Sequence, residues 1–157
     1  MRALVIGYVW PEPASSAAGT RMLELVQLLS QMNYQVTFAS AAALSEHRFD
    51  LNSIGVVEKT IALNCSSFDE FVGELQPALV LFDRFFTEEQ FGWRVEQACP
   101  AALRILDTED LHCLRHARQQ LLKSAQKMCA SEKEKQSVAP ASADNGVLYH
   151  HMCAGEM

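Results

Sequence analysis

Three short stretches carry the side chains best suited to chemistry. The first is Ser15-Ser16-Ala17-Ala18-Gly19-Thr20-Arg21, small residues leading to an arginine and then into helical spacing. Small side chains let a ligand approach the backbone, N–H groups at a helix start point outward, and the helix dipole favours an anion there. Arg21 adds a guanidinium that can hold a phosphate through two bonds. The competing use of such residues is tight packing of the loop. The second stretch is Asp83-Arg84-Phe85-Phe86, a carboxylate beside a guanidinium directly after an apolar run. That pair either belongs to a site or neutralises itself at a sheet rim. The third is Asp107-Thr108-Glu109-Asp110-Leu111-His112, whose acids and histidine suit holding sugar hydroxyls or relaying a proton. Helix capping by Thr108 or Asp110 competes, since acids are favoured at a helix start. Capping accounts for one of these acids more readily than for all four polar groups.

The elements that would position these stretches alternate along the chain. Ala3 to Gly7 is an apolar run ending in glycine, the pattern of a buried strand. Pro11 and Pro13 cannot extend it, because each lacks a donor and fixes its own φ. Met22, Leu25, Val26 and Leu29 then recur at helical spacing, Asn33 stops the helix, and Gln35 to Ala39 forms the next strand. Gly55 to Leu63 contains a third strand, with Val57, Ile61 and Leu63 as its buried positions. Ser67-Phe68-Asp69-Glu70 has the spacing of a capping box, and its helix ends at Pro77. Ala78 to Phe82 is apolar throughout, as a central parallel strand requires. A helix over Thr87 to Ala98, a strand over Ala102 to Leu106 and a long helix from Asp110 to about Ala130 complete the series. Strands alternating with helices at this spacing predict an α/β fold, a three-layer Rossmann-like domain with a mostly parallel sheet. The domain is expected over 1–130, a mobile loop over 131–146, and the start of an incomplete helical segment over 147–157. In such a sheet, ligands bind beyond the carboxyl ends of the strands, where all three stretches fall.

Composition narrows the partners. The 157 residues are 49% hydrophobic and 20% charged, close to the globular average, which excludes wholesale disorder. A net charge of −6 argues against general nucleic-acid binding, which needs a basic face. No apolar run is long enough for a transmembrane segment. Five cysteines without framework spacing, behind a start that lacks a signal peptide, point to a reducing cytoplasm. His112 and His116 are four apart beside Cys113, but the spacing matches no zinc signature, so no metal is expected. Neither a G-x-G-x-x-G nor a P-loop pattern is present, which sets ordinary dinucleotide and P-loop binding aside.

The opening strand, the Pro-x-Pro loop with Ser15-Ser16-Ala17-Ala18-Gly19-x-Arg21, then Leu25-x-x-Leu28-Leu29 and Val36-Thr37-Phe38, resembles the N-terminal domain of GT-B fold, family 4-like glycosyltransferases. Leu79 to Asp83 and Ile105 to Asp110 are similar to that domain's later strand ends, and the resemblance covers roughly residues 1 to 125. It implies two facing Rossmann-like domains with the active site between them, the N-terminal one mostly holding the acceptor. By this resemblance Gly19 offers its backbone N–H to the donor's diphosphate, with Arg21, Ser15 and Ser16 supporting it. Asp107 to His112 would line the acceptor pocket together with Asp83, Arg84, Glu109 and Asp110. Asp107 or His112 would handle the acceptor hydroxyl. A nucleotide-sugar would be the donor substrate and a sugar or glycan the acceptor, with no further cofactor. A Glu-x-Phe-Gly run at Glu89 imitates a C-terminal family stretch, but its second acid is one residue too near, so it reads as an ordinary helix.

A chain of this length cannot hold two Rossmann-like domains. The expectation is therefore the N-terminal part of a glycosyltransferase, inactive by itself, with self-association through its exposed apolar surface. Two rival readings are a stand-alone α/β module binding a nucleotide or phosphorylated metabolite, and a protein-interaction domain.

Overall fold

Strand β1 (Arg2–Gly7) lies in the middle of a five-stranded sheet, because Ala3-Leu4-Val5-Ile6 is apolar at every position and must be covered on both faces. In the computed structural model, which describes residues 1–109 and 112–137, β1 pairs with β2 (Gln35–Ser40) on one side and β4 (Leu79–Asp83) on the other. Outside these lie β3 (Val57–Thr60) and β5 (Leu103–Asp107), giving the order β3-β2-β1-β4-β5 with every pairing parallel. The fold is therefore α/β and Rossmann-like. Strand order reverses between β1 and β4, which is where such sheets open a crevice for ligands.

Alternation of side chains divides the core into two layers. Ala3, Val5, Val36, Phe38, Leu79 and Leu81 face one way and pack with Met22 and Val26 of α1 (Ala17–Gln31). Leu4, Ile6, Ala39, Val80 and Phe82 face the other way. They meet Phe68 and Val72 of α2 (Ser67–Leu75) and Phe91 and Val95 of α3 (Arg84–Ala98). Asn33 follows α1 with φ +64°, the left-handed turn expected of a helix stop. Arg94, buried on α3, joins the two helices of that layer: it pairs with Asp69 at 2.7 Å, donates to the Cys65 carbonyl and lies over the Phe68 ring.

Several local expectations are corrected. Of the positions expected to be buried around β3, Ile61 is buried but Val57 and Leu63 are largely exposed, because β3 is an edge strand only four residues long. The other edge strand, β5, leaves Leu103 exposed for the same reason. The capping box is not formed: Ser66 is the cap residue of α2 and makes no side-chain bond, while the Ser67 hydroxyl donates to Cys65 Sγ.

The chain divides into two compact units, the first being Met1–Leu111 and the second beginning at His112. Helix α4 (His112–Ser137) belongs to the second. It continues through Glu132-Lys133-Glu134-Lys135-Gln136, which had the look of a mobile loop, because Glu, Lys and Gln are themselves good helix formers. Positions 138–157, with the rest of that expected loop and the incomplete helical segment, lie outside the described residues. Among the described residues no helix is long and apolar enough to cross a membrane.

Candidate functional site

The strand-order reversal brings the ends of β1 and β4 side by side, and Asp83, the last residue of β4, stands there. Its side chain accepts the backbone N–H of Tyr8 at 3.1 Å, tying the exit of β1 to the exit of β4. Asp83 is only 6% exposed. Burial pushes its carboxyl pKa up, against the opposing pull of the Tyr8 N–H and the Arg84 guanidinium.

Arg84 opens α3 with φ +70°, a left-handed backbone that an arginine rarely adopts. Its guanidinium meets Glu109 at 2.7 Å and Asp83 at 3.7 Å, and it lies 5.4 Å above the centre of the Tyr8 ring. Asp107 sits beside Asp83 in the β4–β5 register. It receives two bonds from Arg21, 2.8 Å from Nη2 and 3.3 Å from Nε, and a third from the Glu109 N–H. Arg21 thereby fastens the first turns of α1 to the end of β5, and Asp107 raises its pKa. Arg21, Asp83, Arg84, Asp107 and Glu109, all singled out from the sequence, thus gather at one end of the sheet in a chain of charge pairs.

The loop entering α1 differs from expectation in how its polar groups are used. Ser16 caps the helix, its hydroxyl accepting the Gly19 N–H at 3.0 Å. The N–H groups of Ser15 and Ser16 both donate to the Glu12 carbonyl at 3.0 Å, and the Ser15 hydroxyl donates to the Glu12 carboxylate at 2.9 Å. The Gly19 amide, expected to face a phosphate, is therefore engaged within the chain. Glycine is needed at position 19 for a different reason: a Cβ there would lie 2.5 Å from the Glu12 carbonyl carbon and oxygen and 2.6 Å from its nitrogen. That close approach folds the loop back over the helix and leaves a cavity of about 130 Å³, bordered by Trp10, Glu12, Ser16, Gly19, Asp83 and Arg84. Arg84, and not Arg21, is the guanidinium that lines it.

A second, wider cavity of about 350 Å³ adjoins it at the segment that leaves β1, with Val9 shared between the two. Tyr8, Ala42 and Leu63 line it from the strand exits, and Thr87, Gln90 and Phe91 from α3. Trp10, which borders the smaller cavity, is buried, packs 5.6 Å from the Phe38 ring and donates its indole N–H at 2.9 Å to the carbonyl of Ala42, which lines the wider one. Tyr8, Thr87 and Gln90 carry no motif. Only the rule that the crevice opens beyond the carboxyl ends of the strands could have pointed to them.

Asp110 lies outside the described residues, as does the side chain of His112, so neither is placed in this network. His116, on α4, is within 3.2 Å of Gln120. Among the described residues no three His, Cys, Asp or Glu side chains are grouped to hold a metal ion. Comparison with protein-family models and with curated protein sequences finds no match to this chain.

Proposed function

We propose that this chain is the acceptor-side part of a nucleotide-sugar glycosyltransferase, transferring a sugar to an acceptor hydroxyl once a donor-side domain faces it. The observation that carries the reading is the pair of adjoining cavities at the strand-order reversal, one bordered by Glu12, Asp83 and Arg84 and the other by no charged side chain, with Val9 shared between them. Group transfer needs two substrates held side by side, and a divided crevice is the geometry for that. Arg84 and the start of α1 border the smaller cavity, where they would meet the negative charge that develops on a departing nucleoside diphosphate. Asp83 and Glu109, the carboxylates at 3.7 and 2.7 Å from Arg84, would hold that guanidinium in position. Asp107, first considered for the acceptor hydroxyl, is assigned the positioning of Arg21, because Arg21 takes both of its oxygens.

The test is calorimetric titration of the chain with a panel of nucleoside diphosphates. Saturable binding in the range of about 1 mM, a weak contact of about 4 kcal/mol, is expected of half a site. Arg84→Ala should weaken it at least tenfold, in keeping with the roughly 1.5–3 kcal/mol of a hydrogen bond to a charged group. Absence of binding, or an Arg84→Ala variant that binds as the parent does, would refute the proposal. Micromolar binding by the chain alone would favour a stand-alone nucleotide-binding module instead.

A further inference from the structure

The wider cavity differs from its neighbour in chemistry as well as size. Its roughly 350 Å³ falls at the lower end of the range for small-molecule sites, about 300–1,000 Å³. No charged side chain borders it. Tyr8, Val9 and Leu63 each leave about half of their surface exposed around its mouth, and Phe91 forms part of its buried floor. Exposed apolar side chains are ordinary when scattered, but a cluster of them rimming a concave site marks a place where apolar surface is meant to be covered. The polar groups are few. The Thr87 hydroxyl already donates toward the Asp83 and Arg84 carbonyls at 2.9 and 3.1 Å. That leaves the Gln90 carboxamide, on the exposed side of α3, and the Tyr8 phenol as the side-chain hydrogen-bonding groups at this rim.

A bare sugar fits such a lining poorly. A pyranose carries several hydroxyls, each needing a partner once water is excluded, and this cavity supplies too few. A phosphate has no cation to meet here. A flat apolar ring bearing one hydroxyl matches both the walls and the single amide.

We infer that the cavity between Tyr8, Leu63 and Phe91 binds a neutral, mostly apolar ring compound with a hydroxyl directed to Gln90. Its role as the acceptor in sugar transfer rests on the function proposed above. The acceptor class would then be a phenol-like or alicyclic alcohol and not a glycan.

The probe is 1-naphthol, titrated into the full chain by calorimetry and by ligand-observed NMR, with methyl β-glucoside in parallel. Ala41 lines the same cavity and is exposed, so Ala41→Trp fills the space without entering the core. Saturable naphthol binding is expected, weakened at least tenfold by Ala41→Trp and by Leu63→Asp, with no saturation by the glucoside. Circular dichroism melts confirm that each variant is folded, and the second variant keeps the comparison valid if the first is not. Naphthol binding that ignores both substitutions, no naphthol binding at all, or glucoside binding that Ala41→Trp abolishes would each overturn the inference. Nucleoside diphosphate titrations of the same variants separate the two claims. Absence of naphthol binding by the unsubstituted chain, with nucleotide binding intact, leaves the transferase reading standing and removes only this one. Site-specific naphthol binding without any nucleotide binding does the reverse.

Discussion

Replacing Gly19 by alanine and, separately, Gly73 by alanine imposes the same added methyl on two helices with opposite expected results. At Gly73 in α2 nothing lies within 4 Å of the new Cβ, so alanine contributes only its better helix propensity. Gly73→Ala should therefore stabilise the protein by up to about 1 kcal/mol. At Gly19 the new Cβ meets three backbone atoms of Glu12 at 2.5–2.6 Å, and backbone cannot swing aside as a flexible side chain can. Overpacking of this kind costs about 1–3 kcal/mol. If the helix start shifts to relieve it, the Ser16 cap is lost as well, at about 1 kcal/mol. Set against a propensity gain of at most about 1 kcal/mol, Gly19→Ala should be destabilising by about 1–3 kcal/mol. In a chain of 157 residues each kcal/mol moves the melting temperature by about 2–4 °C. Urea unfolding followed by circular dichroism, with both variants showing the parent slope, reads the difference directly. A Gly19→Ala variant as stable as the parent would refute the claim that Glu12 packs against this glycine, and with it the shape of the smaller cavity.

Two further outcomes follow from the charge network. Burial raises the Asp83 pKa above its ordinary value of 3.8, so the folded state favours the protonated carboxyl. That contribution to stability is present below the unfolded pKa and is lost as pH rises through the folded one. Asp83→Asn keeps an oxygen for the Tyr8 N–H and removes the charge, so its stability relative to the parent should increase from acid toward neutral pH; a difference that stays constant in paired unfolding curves would contradict the burial effect. At Arg84, glycine adopts the observed φ of +70° freely whereas alanine does not. Both lose the guanidinium, so Arg84→Gly should exceed Arg84→Ala in stability by about 1 kcal/mol, and equal midpoints in urea would mean the left-handed backbone is not being held.

How much of this was legible in the sequence varies with how local its cause is. β1 and β4 were plain because runs of apolar residues can be satisfied only by burial on both faces, and Asn33 because its side chain tolerates a left-handed turn. The clustering of Asp83, Arg84, Asp107 and Glu109 was legible because each follows a strand, and parallel strands place their carboxyl ends together. The exposure of Val57 and Leu103 was not, since an edge strand and a central one share a residue pattern and differ only in their neighbours. Nor was the use of the Gly19 amide, because the serine that caps it lies within the same small-residue run read as an open anion site. The wider cavity was hidden most completely. Tyr8 and Leu63 come from two connections and Gln90 from within α3, and nothing in any one of them announces the other two.

The distribution of unfavourable backbone supports a functional reading of the reversal. Among the described residues, five other than glycine have positive φ: Asn33, Asn64, Gln76, Arg84 and Glu109. The asparagines are of the type that tolerates this conformation, and Gln76 ends α2 where a left-handed residue is common. Arg84 and Glu109 have no such excuse, yet they are each other's ion-pair partners at 2.7 Å, and both stand over the strand ends beside the buried Asp83. A partly exposed ion pair contributes about 0–1 kcal/mol, too little to offset two strained residues at about 1 kcal/mol or more each. Folding alone therefore gives no reason to keep this arrangement, since ordinary turns with neutral residues would leave the sheet as stable. Holding Arg84 in a fixed direction at the border of the smaller cavity, with Glu109 as its brace, does give one, because a pre-aimed guanidinium loses less on meeting an anion than one that must first be ordered.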